Sequence, residues 1–275
     1  MHRTQVEAPF LKLLVYGQPG STKTRTVATA AWDERTDPVL MLDVSGNPQS
    51  IRMYSRKPDM VSLDALSDLN EPYDFLVNGQ DPEHPFAKEF NLQPPYRTVI
   101  VDGITEVQRH SIRTVTGSVR LGPGDVPGRV DRQHYGAVLG QMINFADLFF
   151  SLEMNVVMTA LEWARQDNTG ITSFVPLLWG QAVDQVPAYA LMVGRMVHRN
   201  KIDNILKAQD DNLMKDETVS VMMITPGGRY YAKDQYLTGY DYFINPTIKT
   251  ILDCIQEAGK QPNPNTLQGE PDAQD

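Results

Sequence analysis

Cysteine is almost absent from this chain, which has one, Cys254, in 275 residues. An internal disulfide is therefore excluded, and a lone thiol fits a reducing compartment. Cys254 lies on an apolar helical pattern and reads as packed rather than reactive. Also missing is any apolar run near the roughly 20 residues that a bilayer span requires, and the N-terminus has no signal-peptide core. The expectation is a cytoplasmic protein without membrane association. Positive charge is in deficit, 25 Lys and Arg against 34 Asp and Glu, for a net charge of −9. That balance argues against indiscriminate coating of nucleic acid but leaves room for a local basic groove. The rest is ordinary globular material, 41% hydrophobic and 21% charged, enough for one large core. We read one domain over residues 1–258, with inserted loops near 46–95, 117–133 and 200–217. A tail over 259–275, rich in Gln, Pro and Asn, reads as disordered.

The chain is organised around residues 11–30, LKLLVYGQPGSTKTRTVATA. An apolar run stops at Gly17, a glycine-bearing loop follows, and a potential helix begins at Lys23. Strand, loop, helix is the context a phosphate-binding loop needs. Backbone N–H groups in such a loop hold a polyphosphate, and the first turn of the helix adds free donors. Gly17, Gln18, Pro19, Gly20, Ser21, Thr22, Lys23, Thr24 and Arg25 are the candidate nucleotide-binding residues. Lys23 supplies a point charge between the terminal phosphates, and the Thr24 hydroxyl reaches the accompanying Mg2+. One position departs from G-x-x-x-x-G-K-[ST]: Thr22 stands where the second glycine belongs. If the backbone there has positive φ, a β-branched residue is a poor occupant.

A second apolar run, Val39 to Leu42, ends at Asp43, and a third, Thr98 to Val101, ends at Asp102. Continuous apolar strands are buried on both faces, which favours a parallel sheet covered by helices. Asp102 after such a strand looks like a Walker B carboxylate; Thr24, Asp102 and Asp43 are the candidate metal ligands, and Lys23 and Asp102 are the candidate catalytic groups of the site. Helices are expected over 23–32, 81–90, 103–116, 134–154, 180–189 and 245–258, the last capped by Asn245 with Pro246 following. Further strands are expected at 60–63, 155–159, 190–198 and 219–225. The last should turn through Pro226-Gly227-Gly228 into a hairpin carrying Arg229 and Lys233. Thr159 and Glu162 lie where a group could sense the γ-phosphate. Residues 117–133 hold four glycines and two prolines, so they form neither helix interior nor central strand. Arg120, Arg129 and Arg132 on that loop are candidate contacts for a DNA backbone.

The segments LLVYGQPGSTKT, VLMLDVSG, TVIVDGITEVQR, VVMTALE and ITPGGRYYAKDQ, in that order, resemble the phage-encoded RecA-like P-loop ATPases, or phage nucleotide-binding proteins. That group includes single-strand annealing recombinases of the Sak type. The resemblance runs from about Ala8 to Gly239. It implies an α/β RecA-like fold, with a mostly parallel central sheet, helices on both faces and a C-terminal antiparallel hairpin. It also implies ATP and Mg2+ as cofactors, action on single-stranded DNA in phage recombination, a homo-oligomer, a single-strand-binding protein as partner, and the host cytoplasm as location. By the same resemblance Lys233 is similar to a lysine that ring relatives send into a neighbour's nucleotide site. The arginine that commonly follows is here Gln235, and the acidic residue expected two places after Asp43 is here Ser45. Losing a general base commonly costs about 10²–10⁴ in rate, so binding with slow hydrolysis is the expectation. Two rival readings stand: a nucleotide-gated adaptor that docks on a protein without touching DNA, and a small-molecule phosphotransferase with residues 117–133 as its lid.

Overall fold

The computed structural model describes residues 10–46, 48–117, 131–166, 168–198 and 219–260. Residues 118–130 of the loop expected at 117–133, with Arg120 and Arg129, all of the loop expected at 200–217, and the tail expected at 259–275 from residue 261 onward lie outside these residues, as does the segment before Phe10.

The core is a sheet whose central strands are β1 (Lys12–Gly17), β2 (Val39–Asp43), β4 (Thr98–Asp102) and the first half of β5 (Asn155–Gln166). The first three are buried at every position. Successive side chains point to opposite faces, so each apolar run feeds two cores. Leu14, Tyr16, Leu40, Leu42, Val99, Val101, Val156 and Met158 pack on one face. Leu11, Leu13, Val15, Val39, Met41, Ile100 and Val157 pack on the other. The first face is covered by α4 (Ile104–Val115) and α5 (Arg132–Ser151), through Ile104, Val107, Val138, Met142, Phe145 and Phe149. The second is covered by α1 (Lys23–Ala28) and a C-terminal helix, through Val27, Ala28, Ile248 and Ile251.

Adding β3 (Asp59–Ser62), β6 (Thr172–Pro176), β7 (Met192–His198), β8 (Ser220–Met223), β9 (Lys233–Asp234) and β10 (Tyr242–Ile244), the order among the described residues is β10-β8-β7-β1-β5-β4-β2-β3. The strands from β3 to β7 along this path are parallel. This is the α/β class expected, a mostly parallel sheet with helices on both faces. The antiparallel C-terminal part is built by β8 against β7 and β10 against β8. Pro226-Gly227-Gly228 therefore does not return the chain onto β8; residues 229–232 cross to β6, where Tyr230 bridges Phe174, and β9 then pairs with β7.

Several boundaries differ from expectation. The helix of 81–90 shortens to α3 (Pro85–Glu89), and α2 (Asn70–Val77) forms within the stretch 46–95 expected as an inserted loop. Helix 180–189 is α6 (Ala182–Gln185) followed by a 3₁₀ turn over Val186–Tyr189. The last helix is α7 (Ile248–Ala258), capped by Thr247, whose side chain accepts from the Thr250 amide at 3.1 Å. Asn245 is instead at φ 43, its Oδ1 accepting from the Ser220 amide. The strand of 155–159 runs on to Gln166 and turns back as β6. Among the described residues no helix is long and apolar enough to cross a membrane.

Candidate nucleotide site

The chain enters the sheet at β1, leaves for β2 three strands away, and returns through β4 and β5. Reversals of this kind open a crevice at the carboxyl ends of the strands, where α/β folds bind ligands. Here β5 separates β1 from β4, and Asp43, Asp102 and Thr159 stand in register across three neighbouring strand ends.

Gly17 closes β1 because nothing larger fits: a Cβ there would lie 2.4 Å from the Met196 carbonyl and 2.7 Å from Ser21 Oγ. The loop then rises and turns into α1 at Thr22, which sits at φ 65, ψ 13. That is the left-handed region where the loop pattern places glycine, so the conflict expected from sequence is real. It costs about 1–2 kcal/mol. The Thr22 hydroxyl donates to Ser220 Oγ at 2.8 Å, and His198 Nε2 meets the Gly20 carbonyl; both tie the strained loop to the neighbouring strands.

Lys23 is folded over the same loop. Its ammonium donates to the Gly17 and Gln18 carbonyls, each at 2.9 Å. Burial lowers its pKa from 10.5 to about 8, against the opposing pull of Asp102 and Glu162. Thr24 Oγ1 donates to Asp102 Oδ2 at 2.9 Å. Thr159 Oγ1 donates to Asp102 Oδ1 at 2.5 Å and accepts from the Gly103 amide at 3.0 Å. Burial pushes the Asp102 carboxyl up, Asp43's charge adds to this, and the two threonine hydroxyls oppose it. A carboxylate so placed gains strongly from a cation beside it.

Asp43 is 1% exposed. Its Oδ1 accepts from the Ser45 amide and hydroxyl and the Gly46 amide, at 3.0, 2.8 and 3.1 Å. Among the described residues its Oδ2 is buried with no hydrogen-bond partner. Hydroxyl and carboxylate oxygens from Thr24, Asp102 and Asp43 are the hard donor set that suits Mg2+. Among the described residues no group of three His, Cys, Asp or Glu is placed to hold a metal, and Mg2+ in phosphate sites usually takes one or two carboxylates, with substrate oxygens and water completing its shell. The residues fit the ion.

Gly20, Thr22, Lys23, Thr24, Arg25 and Asp102 all line one cavity of about 460 Å³, and Ser45, Glu106 and Thr159 line it too. A larger cavity, about 780 Å³, opens at the opposite end of the sheet beside Phe10, Arg97 and Asn155; among the described residues it holds no comparable cluster, and Arg35 in it is paired with Asp33 and Asp253.

Not every candidate residue meets here. Glu162 is buried in an ion pair, its Oε2 2.7 Å from Arg195 Nε, with that guanidinium 3.8 Å from the Phe174 ring centroid. Lys233 lies at the far end of the sheet, paired through β9 with Val193, and its ammonium is held by the Ala188 and Ala190 carbonyls at 2.8 and 2.7 Å. The fold does not bring it to its own chain's phosphate loop. Arg229 is exposed beside β6, and Arg132 is the first residue of α5. Sequence reasoning missed His198, Ser220 and Glu106 as neighbours of the site. Only Glu106, one helical turn past Asp102, carried a local signal.

The family model described as AAA domain (AAA_24) matches residues 10–236. No curated protein matches the sequence significantly. Among solved structures, a KaiC-like protein from the hyperthermophilic archaeon Pyrococcus horikoshii OT3 is similar at 10% identity and a TM-score of 0.40, over 78% of this chain and 79% of that one. The matched span contains the glycine loop, Asp43, Asp102 and the strands that carry them, and the chain belongs to the AAA domain family.

Proposed function

We propose that this protein binds ATP with Mg2+ in the cavity above β1 and β4, hydrolyses it slowly, and acts on single-stranded DNA in phage recombination or annealing, as the Sak-type group does. The observation that carries the nucleotide reading is the meeting of Lys23, Thr24 and Asp102 in one cavity, with Thr24 Oγ1 2.9 Å from Asp102 Oδ2. Thr24 and Asp102 would hold the ion, with Asp43 behind them; when bound, the cation neutralises phosphate charge as the terminal phosphoryl group departs. Lys23 exchanges its two loop carbonyls for phosphate oxygens, and the loop amides take the rest.

The DNA part rests on surface chemistry at the same end of the sheet. The β5–β6 hairpin projects beyond the sheet with Trp163 and Ile171 exposed, 42% and 52%, and Arg165 beside them is also exposed. An aromatic ring beside cationic side chains is how single strands are held without sequence preference. Arg120, Arg129 and Arg132, on the loop expected over 117–133, are the further cationic side chains we propose for the DNA backbone. The same exposed Trp163 and Ile171 favour, as a second reading, a nucleotide-gated adaptor that docks a protein partner, and a single-strand-binding protein is the partner we propose for the first reading.

Side-by-side assembly, with Lys233 or Arg229 reaching a neighbour's nucleotide, is supported by the distance of Lys233 from its own loop. Light scattering with ATP and oligonucleotide together should then report a multimer; a monomer under those conditions contradicts it. The decisive experiment is ATP turnover with and without single-stranded DNA. Stimulation supports the DNA reading. Binding without stimulation, together with oligonucleotide retention indifferent to changing Arg120, Arg129 and Arg132 to Ala, favours the adaptor. On the DNA reading that triple change lowers the salt slope of retention by about 2. A cytoplasmic location goes with either reading.

A further inference from the structure

Cleaving a triphosphate with water needs a group to take the water's proton, and the residues already placed are committed. Asp102 accepts from Thr24 and Thr159. Asp43 is fastened through Oδ1 to the turn at Ser45 and Gly46. Ser45 is a hydroxyl, and Glu162 is paired with Arg195 away from the cavity wall. Among the described residues that line the nucleotide cavity, the carboxylates are Asp102 and Glu106.

Glu106 reaches the cavity because of how the chain leaves β4. Gly103 takes φ 106, a value glycine tolerates, and caps α4. Its carbonyl accepts from the Glu106 amide at 2.9 Å. The first turn of α4 thus folds back over the strand end, and Thr105 and Glu106 line the same wall as Asp102. The Glu106 side chain is 24% exposed, and its Oε1 receives Arg109 Nη1 at 2.5 Å. A plain surface ion pair on a helix would stand in solvent on both sides and contribute little; this one presents its acid to the cavity and its base, 51% exposed, to solvent. Arg109 fixes the direction of the carboxylate.

We propose that Glu106 is the proton acceptor for the attacking water, with Arg109 as its positioning residue. This rests on the reading that the cavity binds a nucleoside triphosphate. The water oxygen bonds to the terminal phosphorus as the bond from that phosphorus to the β–γ bridging oxygen breaks. The bridging oxygen keeps the electron pair and leaves on the diphosphate. The water's proton passes to the Glu106 carboxylate and then to solvent as phosphate departs.

Glu106→Gln is isosteric, keeps the amide bond to Gly103, and removes only the basicity. The expected result is turnover lowered about 10²–10⁴-fold with the calorimetric Kd for ATP and Mg2+ within about twofold of the parent chain. Glu106→Asp should retain part of the rate and the acid limb of the pH–rate profile, which the Gln variant loses. Turnover of Glu106→Gln within about threefold of the parent, or loss of affinity in step with rate, overturns the proposal while nucleotide binding stands. A parent chain that binds ATP but never cleaves it overturns it as well. A parent chain that binds no nucleotide removes the site reading itself, an outcome calorimetry separates from the others.

Discussion

Lys23 gives the site a pH response whose direction follows from its surroundings. Its ammonium is buried against the Gly17 and Gln18 carbonyls, and burial lowers its pKa from 10.5 to about 8. A lysine with a depressed folded pKa costs stability wherever it is protonated, so the penalty is full below about pH 8. It fades as pH rises from there toward 10.5, by up to about 3 kcal/mol for a shift of about 2.5 units. A bound triphosphate reverses the preference, because its charge favours the protonated lysine. Affinity for ATP should therefore be level up to about pH 8 and fall about tenfold per unit above it, about 30-fold weaker at pH 9.5. Lys12 is lowered to about 8 by the same cause, but it lies at the other end of β1, held by the Leu152 and Met154 carbonyls. It adds to the stability change and not to the affinity change. Calorimetry with Mg2+ across pH 7 to 9.5 makes the measurement, and Lys23→Met, weak and flat across the range, is the control. Wild-type affinity that stays constant from pH 7 to 9.5 refutes the reasoning.

Other expectations follow from single contacts. Thr22→Gly removes about 1–2 kcal/mol of left-handed strain but also the hydroxyl bond to Ser220 and some restriction of the unfolded chain. Stability should change by less than about 1 kcal/mol and nucleotide affinity should hold or improve; a tenfold loss of affinity contradicts this account of the loop. Glu162→Ala leaves the Arg195 guanidinium buried without its carboxylate, the two side chains being 12% and 2% exposed. It should cost about 3–5 kcal/mol in urea unfolding, and a cost below about 1 kcal/mol would mean the pair is not buried as described.

Much of this was legible in the residue order, for a physical reason. VLMLD and TVIVD are apolar without alternation because both faces of those strands are covered, and their terminal aspartates fall at the crevice because parallel strands share one carboxyl end. The glycine loop announced itself, and so did its misfit at Thr22, since φ there is 65. Features made by distant partners were not legible. Thr22 meets Ser220 across 198 residues, His198 meets Gly20 across 178, and Glu162 meets Arg195 across 33. The outer half of β5 carries no apolar run, because it leaves the sheet and is exposed from Trp163 to Gln166, so the sequence pattern ends the strand at Thr159. Helix α2 begins Asn-Glu-Pro and spans only eight residues, too short for a helical period to stand out; it is held by Phe75 and Leu76 in the core rather than by propensity. The last helix was assigned to Asn245 because Pro246 follows it, whereas the reciprocal Thr247–Thr250 hydrogen bonds set its start.

The central claim is that residues 17–24 hold a triphosphate together with Asp102. Calorimetric titration of ATP and Mg2+ into the parent chain and into Lys23→Ala tests it most directly. The account predicts one site per chain in the parent and a loss of at least about a hundredfold in affinity in the variant, with the fold intact by circular dichroism. Equal affinity in the two proteins would contradict it.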